Sequence, residues 1–153
     1  LLPPDLKTAH DRLADEIKKI EDKEKERREV EINRILRPMQ TKNPYEMTYK
    51  GLFIMIPQST DDIRREGEIQ HHCVATYINR VIEGKTMILF IRQKTAPEEP
   101  FYTLEYKDGK VVQCRGKRNC SMTEKVQTFV KAFEKMMQKK DEDQKIRIRV
   151  GAS

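Results

Sequence analysis

The sequence predicts an α+β domain in which an antiparallel sheet is packed by helices and a long charged helix leads the chain. Three observations favour this fold class. Every residue from Glu21 to Glu29 is charged, whereas residues 51–119 hold most of the aromatic and β-branched residues. An amphipathic helical pattern then covers residues 123–138. A chain of 153 residues is long enough to bury one hydrophobic core without disulfides or a structural metal.

Residues 1–38 are predicted to form the charged helix or arm, and Pro38 is expected to end it. Apolar residues and one histidine recur at three- and four-residue steps near its start: Leu6, His10, Leu13, Ile17 and Ile20. The pattern favours a surface helix whose two ends pack and whose middle is solvated. An arm for a partner and a coiled coil are the alternatives.

Residues 39–150 are predicted to form the compact α+β domain. Residues 45–56 are typical of a β-hairpin that turns at Lys50 and Gly51. A short helix from Asp61 is expected to end at Gly67, and a second helix is expected over residues 70–82.

The second half of the domain is predicted to begin with a buried strand at residues 86–92. Asp108 and Gly109 then connect the two strands of the clearest hairpin in the chain, residues 101–106 and 110–114, since this pair suits a type I′ turn. Thr123 opens the amphipathic helix. Ile146, Ile148 and Val150 alternate with charged residues, which predicts a last strand at a sheet edge.

Charge and cysteine content narrow the class of protein. The formal net charge is +6 and the pI is about 9.2, which is compatible with a polyanionic partner such as nucleic acid. The three cysteines form no disulfide framework, which favours a cytoplasmic protein. No apolar run approaches the roughly 20 residues that cross a bilayer, so no membrane association is expected.

Five residues are the candidate zinc ligands: His71, His72, Cys73, Cys114 and Cys120. They form no C-x-x-C or H-x-x-x-H pair, and adjacent residues on a helix diverge by about 100°. We therefore predict no metal site. The same divergence argues against His72 activating Cys73 as a nucleophile. The sequence identifies no cofactor.

A set of polar residues is the candidate catalytic site: His72, Arg92, Glu105, Gln113 and Asn119. We expect Arg92 to face solvent or a partner, because burying an unpaired charge is costly. The Asp-Gly turn places Glu105 opposite Val112, and a one-residue slip places it opposite Gln113. A polar network that closes one end of the sheet is the alternative to an active site.

A basic loop precedes the amphipathic helix. Arg115, Lys117 and Arg118 surround Gly116 and are candidates for contacts with nucleic-acid phosphates. Tyr102 and Tyr106 are the candidates for stacking against unpaired bases. An ordinary solvated loop is the alternative.

Several of these residues, together with others along the chain, resemble the PcfJ-like family, proteins of conjugative plasmids, phages and related mobile elements. The matching features are Leu2-Pro3, His10-Asp11, Phe53 to Pro57, Glu66-Gly67, His71 to Val74, Tyr77, Arg92, Pro100, Thr103 to Glu105, Gln113, Gly116 and Asn119. Ala75 stands where many relatives are expected to have glycine. The resemblance implies a role in a bacterial mobile element and brings no established activity.

The leading hypothesis is a cytoplasmic domain associated with nucleic acid during DNA transfer or phage replication. An alternative is an enzyme acting on a phosphodiester or nucleotide. In it, His72 is the general acid or base, Arg92 holds a phosphate, and Glu105 with Gln113 orients the attacking group. A third hypothesis is a protein-interaction module that docks through residues 1–38.

Overall fold

A five-stranded antiparallel sheet forms the centre of the fold. The computed structural model describes residues 4–70 and 74–151 of the chain. Each strand pairs with the next one along the sequence, so the sheet is a simple meander. The strands are β1 (Thr48–Tyr49), β2 (Leu52–Met55), β3 (Met87–Gln93), β4 (Tyr102–Lys107) and β5 (Lys110–Gly116).

Helices cover both faces of this sheet, which confirms the predicted α+β class. They are α1 (Pro4–Thr41), α2 (Thr60–Gln70), α3 (Val74–Ile82) and α4 (Glu124–Gly151), with a 3₁₀ turn at Lys117–Asn119. The central strand β3 is buried along six of its seven residues. Such continuous burial requires cover on both faces, because successive strand residues point to opposite sides.

The alternation of side chains along the strands assigns the helices to their faces. Tyr106 packs edge-on against Phe133 of α4, with ring centroids 5.7 Å apart, so α4 covers the face that also carries Leu104. Glu66 of α2 bonds to Thr103, which places α2 on the opposite face. The second face therefore carries the polar residues Thr103 and Glu105 toward α2 and α3.

The β4–β5 hairpin has the predicted turn and one irregularity. Asp108 and Gly109 have φ angles of 51° and 80°, the left-handed conformations of a type I′ turn. Lys107 pairs with Lys110 as expected, but a bulge follows, and Glu105 pairs with Gln113. Of the two registers predicted for Glu105, the bulge selects the one that places these two side chains opposite each other.

Two helix ends differ from the sequence prediction. Gly67 does not end α2; it is buried, and the helix continues to Gln70. A glycine inside a helix lowers helix stability by only about 1 kcal/mol relative to alanine, which packing can offset. Pro38 lies inside α1, whose last turn is held by the bond from Lys42 N to Pro38 O at 3.2 Å. Met39 in this turn also packs against the core.

The predicted last strand is wrong, because the segment continues α4 as helix to Gly151. In a helix the alternating pattern places Ile146 and Val150 on one side and Ile148 on the other. All three side chains are exposed.

Among the described residues, the long helix α1 joins the body only through its last third. Ile32 and Leu36 are its buried residues, and α1 contacts α2 and α3. Residues 4–27, which we call the arm, are exposed throughout. The expectation that both ends of the helix pack is therefore wrong for the first end.

No helix in the described ranges combines the length and the apolar content needed to span a membrane.

Candidate functional site

A buried ion pair joins α2 to the sheet. Arg92 Nη2 of β3 donates to Glu66 Oε1, and Thr103 Oγ1 of β4 donates to Glu66 Oε2 at 2.8 Å. The Arg92 and Glu66 side chains are only 6% and 4% exposed. The Arg92 guanidinium also lies 4.7 Å from the centroid of the Phe90 ring. Both oxygens of the Glu66 carboxylate are thus bonded by groups of the sheet.

The position of Arg92 corrects the expectation that it faces solvent or a partner. The physical premise holds, since a buried charge needs a counter-charge. Glu66 supplies that charge from within the chain. Arg92 pairs with Glu66 through Nη2, whereas its buried Nε has no hydrogen-bond partner in the described part of the chain.

A second polar cluster forms around Glu105 on the same face. Thr86 Oγ1 donates to Glu105 Oε2 at 2.8 Å, and Arg80 Nη1 of α3 lies 4.0 Å from the same oxygen. Opposite Glu105 in the sheet, Gln113 Oε1 accepts a bond from Tyr77 OH of α3 at 3.5 Å. This cluster joins α3 to β4 and β5.

The sheet register keeps the two clusters apart. Ile88 is the β3 residue opposite Glu105, and Arg92 lies four residues further along that strand. At about 3.3 Å per residue the separation along the strand is about 13 Å, too long for direct contact. The structure therefore brings Glu105 together with Gln113 and gives Arg92 a different partner, Glu66. His72 lies outside the described residues.

The 3₁₀ turn at Lys117–Asn119 positions the remaining predicted residues. Arg118 and Asn119 have φ angles of 57° and 59°, left-handed conformations that are uncommon for residues other than glycine. The turn is closed by the bond from Gly116 N to Cys120 O at 3.0 Å, and it lies against α2. Asn119 is exposed in this turn, outside both buried clusters.

Gly116 fits this turn because it has no side chain. A Cβ atom there would lie 2.8 Å from Cys120 Sγ and 2.9 Å from the Tyr102 ring. Tyr102 is buried, and its hydroxyl donates to Ser121 O at 3.2 Å. Burial raises the pKa of Tyr102 above its ordinary value. Tyr102 therefore supports the turn from inside and does not present a ring face to a base.

Cys114 and Cys120 are both free thiols in different surroundings. Cys114 is buried, and burial raises its pKa to about 12, whereas Cys120 is exposed. A thiol that stays protonated at neutral pH is a poor nucleophile and a poor metal ligand. Within residues 4–70 and 74–151, no three His, Cys, Asp or Glu side chains form a group that could hold a metal ion.

The sheet register gathers basic residues at one end of the fold. Leu52 pairs with Gln93 and Tyr102 pairs with Gly116, so the β1–β2 turn, the β3–β4 loop and the 3₁₀ turn share this end. The bond from Lys94 N to Gly51 O at 2.9 Å joins the first two of these segments. We call the following set the basic end: Lys50, Lys94, Arg115, Lys117, Arg118 and Lys125.

A cavity of about 320 Å³ lies at the basic end, between the β1–β2 turn and the start of α4. Lys50, Lys125 and Tyr49 line it, and Lys50 Nζ lies 5.3 Å from the centroid of the Tyr49 ring. Arg115 Nη1 donates to Ser121 Oγ at 3.1 Å, and the other five basic side chains are exposed. Glu98, Glu99 and Glu124 are acidic residues of the same region.

Sequence reasoning missed the two residues that complete the buried clusters, Glu66 and Thr86. A signal for Glu66 exists, because it follows the buried Ile63 by three residues and so lies on the packed side of α2. It also missed Lys50 and Lys94 as parts of the basic surface. Their grouping depends on the order of strands in the sheet, which no local pattern predicts.

The chain thus defines a class of α+β domain with two buried polar clusters beneath its helices and a basic surface at one sheet end. It belongs to the PcfJ-like protein family, whose model matches residues 1–130. A similar protein is "Uncharacterized protein Lin1253/Lin1744" of Listeria innocua serovar 6a, 44% identical over 84 residues. The match covers 54% of this chain and only 18% of the relative. No solved structure matches the chain.

Proposed function

We propose that this PcfJ-like domain binds nucleic acid through its basic end. The observation that supports the proposal is the collection of six basic side chains from four separate segments on one end of the sheet. Lysine and arginine side chains bind phosphates through charge and hydrogen bonds, and each phosphate contact releases counterions from the nucleic acid. The net charge of +6 also favours association with a polyanion.

The proposed surface differs from the one expected from the sequence in its aromatic component. Tyr102 is buried and is left out. Arg115, Lys117 and Arg118 stay in the proposal, and Lys50, Lys94 and Lys125 extend it. Because these contacts are to phosphates, we propose binding with little sequence preference.

The catalytic alternative receives less support from the geometry. It requires Arg92 to hold a phosphate, but this guanidinium is buried and paired with Glu66. It also requires Arg92 and Glu105 to act on one substrate, although they belong to separate clusters. We therefore propose binding and assign no reaction.

Fluorescence anisotropy with labelled single-stranded DNA, duplex DNA and RNA, measured over a range of salt concentrations, tests the proposal. We expect log K to fall linearly with log salt, by about 0.9 per duplex phosphate contacted. The variant Lys117→Gln/Arg118→Gln should reduce that slope by about 2 and weaken binding to all sequences alike.

The matched control is Lys18→Gln/Lys19→Gln, which removes two exposed positive charges from the arm, away from the basic end. Binding of the control should stay close to that of the parent chain. Absence of binding at low salt would refute the proposal, as would an equal loss in both variants, because net charge alone would then account for the affinity.

We further propose that this binding serves DNA transfer or replication by a conjugative plasmid or phage, the setting that the resemblance implies. Transfer frequency or phage yield should fall when the chromosomal or plasmid copy carries Lys117→Gln/Arg118→Gln. Unchanged transfer and yield in a variant that has lost binding in solution would separate the biological role from the binding.

A further inference from the structure

An exposed apolar stripe runs along the arm. Leu6, Leu13, Ile17 and Ile20 are 54%, 56%, 47% and 63% exposed, although the helix that carries them is regular. These residues and His10 alternate three- and four-residue steps, so they lie on one side of the helix. Burying large apolar side chains is favourable by about 1.5–3 kcal/mol each, so such a side tends to be covered.

The stripe has the spacing of a coiled-coil seam. In a seven-residue repeat written a to g, Leu6, Leu13 and Ile20 occupy d, and His10 and Ile17 occupy a. The repeat ends where a positions become charged, at Glu24. Residues 6–24 of a helix extend over about 27 Å, so the seam is short.

The charge of the arm indicates what kind of surface covers this seam. Residues 4–27 hold seven basic and eight acidic residues, nearly equal numbers. A mixed surface of this kind is poorly matched to a polyanion and well matched to another surface of mixed charge. A second arm offers both the mixed charge and the same apolar spacing.

We propose that the arms of two copies of this chain pair with each other as an antiparallel coiled coil. In this arrangement Ile17 of one copy meets Leu13 of the other, and His10 meets Ile20. The flanking positions e place Lys7 of each copy beside Glu21 of the other, which forms two attractive pairs. One repulsive contact, Glu16 with its own equivalent, lies at the two-fold axis.

The parallel arrangement is less favourable by charge. It places Glu16 of one copy beside Glu21 of the other, and this repulsion occurs twice in the dimer. It also brings Lys23 beside Arg28. The pairing of opposite charges therefore selects the antiparallel orientation.

Sedimentation equilibrium of the full chain tests the proposal. We expect a monomer–dimer equilibrium with a dissociation constant of about 1 mM or tighter. Leu13→Gln/Ile17→Gln should weaken association at least tenfold with unchanged helix content by circular dichroism, because both side chains are exposed in the monomer. Ile148→Gln, which removes an isoleucine of α4 that is 64% exposed, is the control and should leave association unchanged.

Charge reversal tests the orientation. Glu21→Lys should weaken an antiparallel dimer, and Lys7→Glu/Glu21→Lys should restore it. A parallel dimer would instead be strengthened by Glu21→Lys, which would overturn the antiparallel assignment. A chain that stays monomeric to about 1 mM would overturn the proposal. The proposal would also be overturned if the monomer bound phosphatidylcholine–phosphatidylglycerol vesicles through Leu13 and Ile17. Lipid, and not a second arm, would then cover the apolar stripe.

Discussion

The buried pair between Glu66 and Arg92 leads to a large expected effect on the stability of this domain. Arg92→Met keeps most of the side-chain volume and removes the charge. It leaves the Glu66 carboxylate, 4% exposed, without its counter-charge. Breaking one side of a buried ion pair costs about 3–5 kcal/mol, a large part of the roughly 5–15 kcal/mol that stabilises a typical domain.

Urea unfolding, followed by far-UV circular dichroism and tyrosine fluorescence, measures this loss as a shift of the midpoint at constant slope. The matched control is Arg65→Met on α2, the helix that carries Glu66. Arg65 pairs with Asp62 at 2.8 Å, but its side chain is 68% exposed. An exposed pair contributes about 0–1 kcal/mol, so the control should be nearly neutral.

A double variant separates the charge from the packing. Glu66→Gln/Arg92→Met removes the buried negative charge and retains an amide oxygen that accepts from Thr103. It should therefore be more stable than Arg92→Met alone. The reasoning is refuted if Arg92→Met costs no more than Arg65→Met. It is also refuted if the double variant is the less stable of the two, because the carboxylate would then not need its counter-charge.

Three smaller effects follow from other contacts. Thr86→Val should lower the unfolding free energy by about 1.5–3 kcal/mol in urea titrations, and Thr86→Ser by much less, because only serine keeps the hydrogen bond to the buried carboxylate. Gly116→Ala should cost about 1–3 kcal/mol in the same assay, since its methyl group would lie 2.9 Å from the Tyr102 ring, whereas Gly151→Ala has open space and should cost little. Burial raises the pKa of Cys114 from 9.0 to about 12, so the unfolded chain loses this proton first and stability should fall as the pH rises through that interval. Cys114→Ala should flatten the decline by at most about 1.4 kcal/mol per pH unit, and an equal decline in both chains would contradict this account.

The hairpin shows how far local patterns determine the sheet. The Asp108-Gly109 dipeptide was sufficient to predict the turn and the first cross-strand pairs. It did not determine the pairing of Glu105, because a bulge at Val112 changes the register after two pairs.

The candidate site depends on contacts that are distant in sequence. The composition of β3 predicts a buried strand, and simple electrostatics predicts that Arg92 needs a partner. The partner is 26 residues away on α2, so its identity depends on how that helix crosses the sheet. The exposed side of α1 was easier to predict than its packing, since nine successive charged residues exclude burial but do not indicate which end contacts the body.

The two buried clusters and the basic end are parts of one arrangement. Glu66 bonds α2 to β3 and β4. The Glu105 cluster joins α3 to the same face of the sheet. The 3₁₀ turn that carries Lys117 and Arg118 lies against α2. We therefore infer that the polar residues beneath the helices support the basic end and are not themselves part of the proposed nucleic-acid surface. On this account Arg92→Met should weaken nucleic-acid binding only under conditions that also loosen α2, as measured by amide hydrogen exchange. Weakened binding with full protection of α2 would instead assign Arg92 a direct role.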